Sequence, residues 1–183
     1  MSTQPSGGFG LARPQDAETS ATRLASVTRR RDAAREGIRT ILLASDLSSA
    51  SANAEELAFE LASRLDGALL LVSVIDPRGL WLPTGGYRQR MDQAREARQA
   101  AAKGIVERGR REGVSIRTLI WEGDPGEAIV EAAVAEDVDL IVVGSHQRRG
   151  VDRLVMGSVS EQVVRTSPVP VVVARRAPVE RSK

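Results

Sequence analysis

The stretch DLIVVGSHQRRGVDRLVMGSVSEQVVRT, residues 139–166, decides the fold. Its first part, DLIVVGS (139–145), is a short apolar run rich in β-branched residues. Such a run suits a strand covered on both faces, as the strands of a parallel sheet are. The run stops at Gly144-Ser145-His146, and a polar loop with several glycines follows. That loop ends on Gly157-Ser158, where an apolar period of helical spacing begins. Ser158-Val159-Ser160-Glu161 has the pattern of a capping box, which starts the helix near Ser158. A strand, a loop and a helix start in that order make the first half of a parallel crossover.

The same alternation extends in both directions. Downstream, Pro168-Val169-Pro170 leads into VVVA (171–174), a fifth strand; Pro170 is tolerated at a strand's start or on a free edge. Upstream, IRTILLAS (38–45) and ALLLVSVI (68–75) read as two buried strands. Between them Leu57, Leu61 and Leu65 recur every four residues, with Ala54, Ala58 and Ala62 beside them, as in an amphipathic helix. Ser48 or Ser49 caps its start and Gly67 ends it. Residues 87–112 read as a long charged helix with Met91, Ala94, Ala101 and Ile105 as its apolar stripe. SIRTLIW (115–121) is a further strand. Asp124-Pro125-Gly126-Glu127 opens a helix, with Asp124 as cap and Pro125 in the first turn. Ile129, Val130 and Ala133 face inward from it. Strand and helix alternate throughout, which predicts one doubly wound α/β domain: a five-stranded parallel sheet with helices on both faces and right-handed crossovers.

The flanks differ from this pattern. Residues 1–37 are rich in Gly, Pro, Ser, Thr and Arg and carry six Arg against four acidic residues. They read as a disordered basic arm. Residues 177–183 read as a disordered tail, which leaves 38–176 as the folded domain. The net charge of +2 arises in these flanks, and the domain itself is slightly acidic. Nucleic-acid binders carry their basic face on the folded domain, so no nucleic-acid partner is expected. No run of about 18 apolar residues exists to span a membrane. The N-terminal region lacks the apolar core of a secretory signal. The chain has no cysteine, hence no disulfide framework and no thiolate metal site. A cytoplasmic location is expected.

In an open parallel sheet, ligands bind beyond the carboxyl ends of the strands. Three such ends carry polar residues or glycine: Ser45-Asp46, Asp76, and Gly144-Ser145-His146. The loop after Gly144 then offers a phosphate site. A helix start presents unpaired amide N–H groups and partial positive charge, and glycines allow close backbone approach. Ser158 and Ser160 add hydroxyls, and Arg148, Arg149 and Arg153 add charge. The competing explanation is that Gly144 and Gly157 only permit turns and the capping box needs no ligand. A P-loop with its lysine is absent, as is G-x-G-x-x-G after the first strand. His146 is the single histidine and lacks partners for a metal site or a triad. Asp76 starts a turn before Pro77, or helps to hold Mg2+. Trp81 lies in the loop beside the site, as a lid or an anchor.

Five segments in this order resemble the universal stress protein family: ILLASD (41–46), LLLVSVID (69–76), EGDPGEAIVEAA (122–133), DLIVVGSH (139–146) and GSVSEQVVRTSPVPVVVA (157–174). The resemblance implies a sheet ordered 3-2-1-4-5. The ATP-binding branch of that family carries the loop G-x-x-G-x9-G-S/T. Gly144 matches its first glycine and Gly157-Ser158 its end, while Gln147 stands where the second glycine belongs. By resemblance, Ser45 and Asp46 face the adenosine and Val74 touches adenine. Val143, Gly144 and Gln147 flank the nucleotide, and Gly157, Ser158, Val159 and Ser160 line the phosphates. The resemblance also implies ATP, with Mg2+, as ligand and a homodimer formed through the edge strand 171–174.

The function expected is a regulatory adenine-nucleotide-binding module that acts in stress response as a homodimer, with a regulatory protein partner whose identity the sequence does not specify. It is not expected to be an enzyme, since no activated nucleophile or general base is evident. The alternative is a dimeric interaction protein that has lost its nucleotide, with the long Arg-rich helix and the basic arm as partner surfaces. A related adenylating ligase would need S-G-G-x-D-S after the first strand, where this chain has Asp46-Leu47-Ser48-Ser49.

Overall fold

The computed structural model describes residues 37–80, 85–145 and 157–175. The expectations that fall on the N-terminal arm, the C-terminal tail, Trp81, His146, Gln147 and the loop arginines lie outside these residues. Five strands form one parallel sheet: β1 (Thr40–Ala44), β2 (Ala68–Ile75), β3 (Ile116–Glu122), β4 (Leu140–Gly144) and β5 (Val171–Ala174). Their order is β3-β2-β1-β4-β5, the order implied by the resemblance. Four α-helices connect them: α1 (Ala52–Leu65), α2 (Tyr87–Glu112), α3 (Pro125–Ala135) and α4 (Ser158–Thr166). Among the described residues, no helix is long and apolar enough to cross a membrane.

The apolar runs follow from position in the sheet. β1, β2 and β4 are inner strands, so both sets of alternating side chains need cover. Ile41, Leu43, Leu69, Leu71 and Val142 face α1 and α2. Leu42, Ala44, Leu70, Val72, Ile141 and Val143 face α3 and α4. A fully buried leucine of this kind contributes roughly 1.5–3 kcal/mol by burial alone. β3 and β5 lie at the edges, and most of their side chains are only half-buried or exposed.

Three local expectations change. In α1 the residues buried most completely are Ala54, Ala58, Phe59 and Ala62. Leu57 and Leu61 pack at the margin, and Leu65 is 42% exposed. The alanine face wins because small side chains let the helix lie close on the sheet. α1 ends on Asp66, which takes the left-handed conformation at φ 52°. Gly67 serves a different purpose, since a Cβ there would come within 3.1 Å of the Arg39 carbonyl oxygen. In α2 the stripe runs through Met91, Ala102 and Gly109, with Ala94, Arg98 and Ile105 half-buried between them. Ala101 points outward, one position off the inner face.

Other local signals hold. Ser48 caps a 3-10 turn (Ser49–Ser51) that runs into α1, accepting from the Ala50 amide. Asp124 caps α3 by accepting from the amides of Gly126 and Glu127, with Pro125 in the first turn. Asp139 closes the lower end of the sheet. Its Oδ2 accepts from the amides of Arg39 and Thr40, each at 2.9 Å.

Candidate nucleotide site at the carboxyl ends of the strands

β1 and β4 are neighbours, with Ala44 paired to Val143. The segments that follow them, Ser45-Asp46 and Gly144-Ser145, therefore emerge side by side at the carboxyl edge. α4 joins two parallel strands, β4 and β5, so it runs back against them. Its N-terminus, Gly157 to Ser160, consequently lies at the same edge. β2 extends three residues past the end of β1 in register. Val72 pairs with Ala44, so Val74 stands level with Asp46. Val74, Val143 and Val159 all pack on the sheet face covered by α3 and α4. The strand order thus brings together nine of the ten expected residues; the tenth, Gln147, is outside the described residues.

The turn after β1 is held tightly. Asp46 Oδ1 accepts from the Ser48 amide at 3.0 Å, the Ser48 hydroxyl at 2.8 Å and the Ser51 hydroxyl at 2.7 Å. Ser45 is 5% exposed; its hydroxyl donates to Glu55 Oε1 and accepts from the Leu47 amide. Leu47 has φ 60°, a conformation that costs a side-chain-bearing residue of order 1 kcal/mol. The Ser45 hydroxyl bond helps to hold it there. On the far side of the turn, Arg98 Nη1 donates to the Asp46 carbonyl oxygen at 2.6 Å and to Ser73 Oγ at 2.8 Å. Neither Arg98 nor Ser73 was expected in the site. The available signal was an arginine on the inner stripe of α2, where an apolar residue belongs.

The two glycines at the described ends of the loop are not explained by turns. Neither Gly144 nor Gly157 has a positive φ. A Cβ on Gly144 would make an ordinary contact with Ala54 at 3.7 Å. Ser145 adds a second anomaly: its Oγ is buried and, among the described residues, has no hydrogen-bond partner. An unsatisfied buried hydroxyl is costly, about 1–3 kcal/mol.

The start of α4 corrects the capping-box reading. Gly157 is the cap residue, Ser158 is the first helical residue, and among the described residues no side chain caps the helix. The amides of Ser158, Val159 and Ser160 are therefore left for another acceptor. Ser160 is buried, and its hydroxyl donates to the Gly157 carbonyl at 2.9 Å. Its hydroxyl is thus committed inward, whereas Ser158 is exposed.

Asp76 forms a turn. Its carboxylate accepts from the Arg78 amide and from the Arg78 guanidinium, which also reaches Asp124 at 2.8 Å. The Arg78 hydrogen bonds hold Asp76 below the usual aspartate range. At Asp124, burial acts upward, but bonds from the Glu127 amide, Gln162 and Arg78 outweigh it and the carboxyl is held low. Asp76 is thus engaged by Arg78, and among the described residues no cluster of three potential metal ligands occurs.

Comparison with known proteins agrees with this architecture. A family model described as the universal stress protein family matches residues 37–175. Universal stress protein MJ0531 of Methanocaldococcus jannaschii is 31% identical over 138 residues, covering 74% of this chain and 81% of the relative. The solved structure of MJ0577, from the same organism, superposes with a TM-score of 0.70 at 26% identity, over 79% of this chain and all of that one. A universal stress protein family member from Arabidopsis thaliana, solved with AMP bound, shares the fold at a TM-score of 0.54 and 20% identity, over 76% of this chain and 93% of that one. With its sheet order and this match along the domain, the chain belongs to the universal stress protein family.

Proposed function

We propose that this chain is a regulatory module of the cytoplasm that binds an adenine nucleotide, ATP in the first instance, in the crevice between Asp46 and the start of α4. The observation that carries this reading is Gly144. Its backbone conformation does not require glycine, and among the described residues a Cβ there would meet only Ala54 of α1, at an ordinary 3.7 Å, so its neighbours do not account for the glycine that stands at the first position of the family's nucleotide loop. Three further features support it. Among the described residues the Ser145 hydroxyl is buried without a partner and the first amides of α4 lack a side-chain cap, and a helix start favours phosphate. A relative of the same fold holds AMP. In this reading Ser45 and Asp46 face the nucleoside, Val74 and Val143 contact the base side, and Gly144 and Gln147 flank the nucleotide. Gly157, Ser158, Val159 and Ser160 meet the phosphates, Ser160 through its amide. Mg2+ accompanies the phosphates and is held by them and by water.

The module acts as a homodimer through the free edge of β5, within a domain spanning 38–176, and passes its ligand state to a protein partner. It binds rather than turns over its ligand: the crevice carboxylate, Asp46, is taken up by bonds from Ser48 and Ser51, which suits positioning more than proton transfer. Release of nucleotide from denatured purified protein, followed by calorimetric titration with ATP, tests the reading. Bound nucleotide or saturable heat is expected. No nucleotide and no heat up to millimolar ATP would reject it and leave the dimeric interaction protein as the function.

A further inference from the structure

We propose that Arg98 is a positioning residue for the nucleoside end of the crevice, holding Asp46 from the opposite side of the sheet. The proposal rests on the adenine-nucleotide reading above. Arg98 occupies the inner stripe of α2, between Ala94 and Ala102, a place where burying a charge is costly unless it is well bonded. Among the described residues no carboxylate pairs with it. Its Nη1 instead bridges two neutral oxygens, the Ser73 hydroxyl at 2.8 Å and the Asp46 carbonyl at 2.6 Å. Ser73 is 1% exposed and lies within β2, so it is a fixed post that orients the guanidinium. The Asp46 carbonyl is the group being held.

The other bonds of the turn show why such a hold matters. The carboxylate of Asp46 is tied to Ser48 and to Ser51 at the start of α1, bonds that fix its side chain but do not engage its carbonyl. Leu47 next to it is in the left-handed region, so the turn stores strain, which the Ser45 hydroxyl opposes at the Leu47 amide and Arg98 opposes at the Asp46 carbonyl. Arg98 supplies a restraint from α2, 52 residues away in sequence. A charged donor to a carbonyl is among the stronger hydrogen bonds. The direction in which Asp46 presents its carboxylate therefore depends on how α2 sits on the sheet.

The test uses the full chain with three substitutions, Arg98→Met, Arg98→Lys and Ser73→Ala. AMP and ATP affinities are measured by calorimetry, and amide exchange is followed at Leu47 and Ser48 and in the first turn of α4. Arg98→Met should weaken AMP and ATP by the same factor, about tenfold, because the nucleoside end is common to both. It should speed exchange at Leu47 and Ser48 and leave α4 unchanged. Arg98→Lys, which can still donate to both oxygens, should restore most of the affinity, and Ser73→Ala should fall between. A loss that grows from AMP to ATP would mark Arg98 as a charge acting on phosphate and overturn the proposal, as would unchanged exchange at Leu47 and Ser48. If the unaltered chain binds neither nucleotide, the functional reading fails, and the exchange measurement still decides whether Arg98 holds the turn. If Arg98→Met does not fold, Ser73→Ala gives the same exchange readout.

Discussion

Gly109, in the last turn of α2, lies against Ile116 at the start of β3 with no room for a side chain between them. A Cβ on Gly109 would come within 2.5 Å of Ile116 Cδ1 and 2.8 Å of the Val114 carbonyl oxygen. Alanine would gain about 1 kcal/mol in helix propensity over glycine, but overpacking against backbone typically costs about 1–3 kcal/mol. Gly109→Ala is therefore expected to lower stability in urea unfolding, by up to about 2 kcal/mol on these figures. A gain in stability would show that the β3 edge yields easily.

Gly144→Ala should behave in the opposite way. The added methyl meets Ala54 at an ordinary distance, so unfolding free energy should stay within about 0.5 kcal/mol of the parent. ATP affinity should fall by about tenfold or more, the equivalent of one well-made contact. Calorimetry and urea melts on the same preparation check both halves. Undiminished affinity would remove the main support for the crevice as the binding site.

Gln147 tests the loop from its other side. Restoring the family's second glycine with Gln147→Gly should tighten ATP binding if the side chain narrows the phosphate cradle. Weaker binding would mean that the carboxamide itself donates to the ligand, and unchanged binding that it neither narrows the cradle nor contacts the ligand.

Asp76 and Asp124 predict an acid limb. Both carboxyls are held below the ordinary range in the folded chain, with Arg78 hydrogen-bonded to each. A carboxyl lowered by folding adds stability that is complete above its unfolded pKa, near 4, and is lost as pH falls through the lowered value. Arg78→Gln should therefore destabilise most near neutral pH, and the two melting curves should converge in acid. A constant difference down to low pH would assign the effect to packing rather than to charge.

Val172→Lys puts a charge on the edge strand proposed for self-association. Light scattering should report a monomer, with the circular dichroism of the fold retained. A persisting dimer would exclude β5 as the interface.

Much of this architecture was legible before any coordinates. β2 and α2 have the bounds that their apolar runs and helical period mark out, because inner strands and long helices carry the strongest patterns. The strand order was not legible from spacing and came from resemblance. Local errors share a physical cause. Ala54, Ala58 and Ala62 look like filler beside three leucines, yet closeness of approach to the sheet selects the small face. Ser158 looks like a cap, yet Gly157 takes that role and leaves the helix start open. Arg98 stands out locally only as an arginine on an apolar stripe; its role is not readable there, because its partners lie 25 and 52 residues away.

The amide of Ser145, where the loop leaves β4, donates to the carbonyl of Ala174, the last residue of β5. One hydrogen bond thus joins the mouth of the crevice to the rim of the sheet. Were a ligand that shifts Ser145 to alter what pairs with β5, that pairing would have to alter the grip on the ligand by the same factor. Communication between ligand and neighbour would need no moving domain, only a bond shared by both.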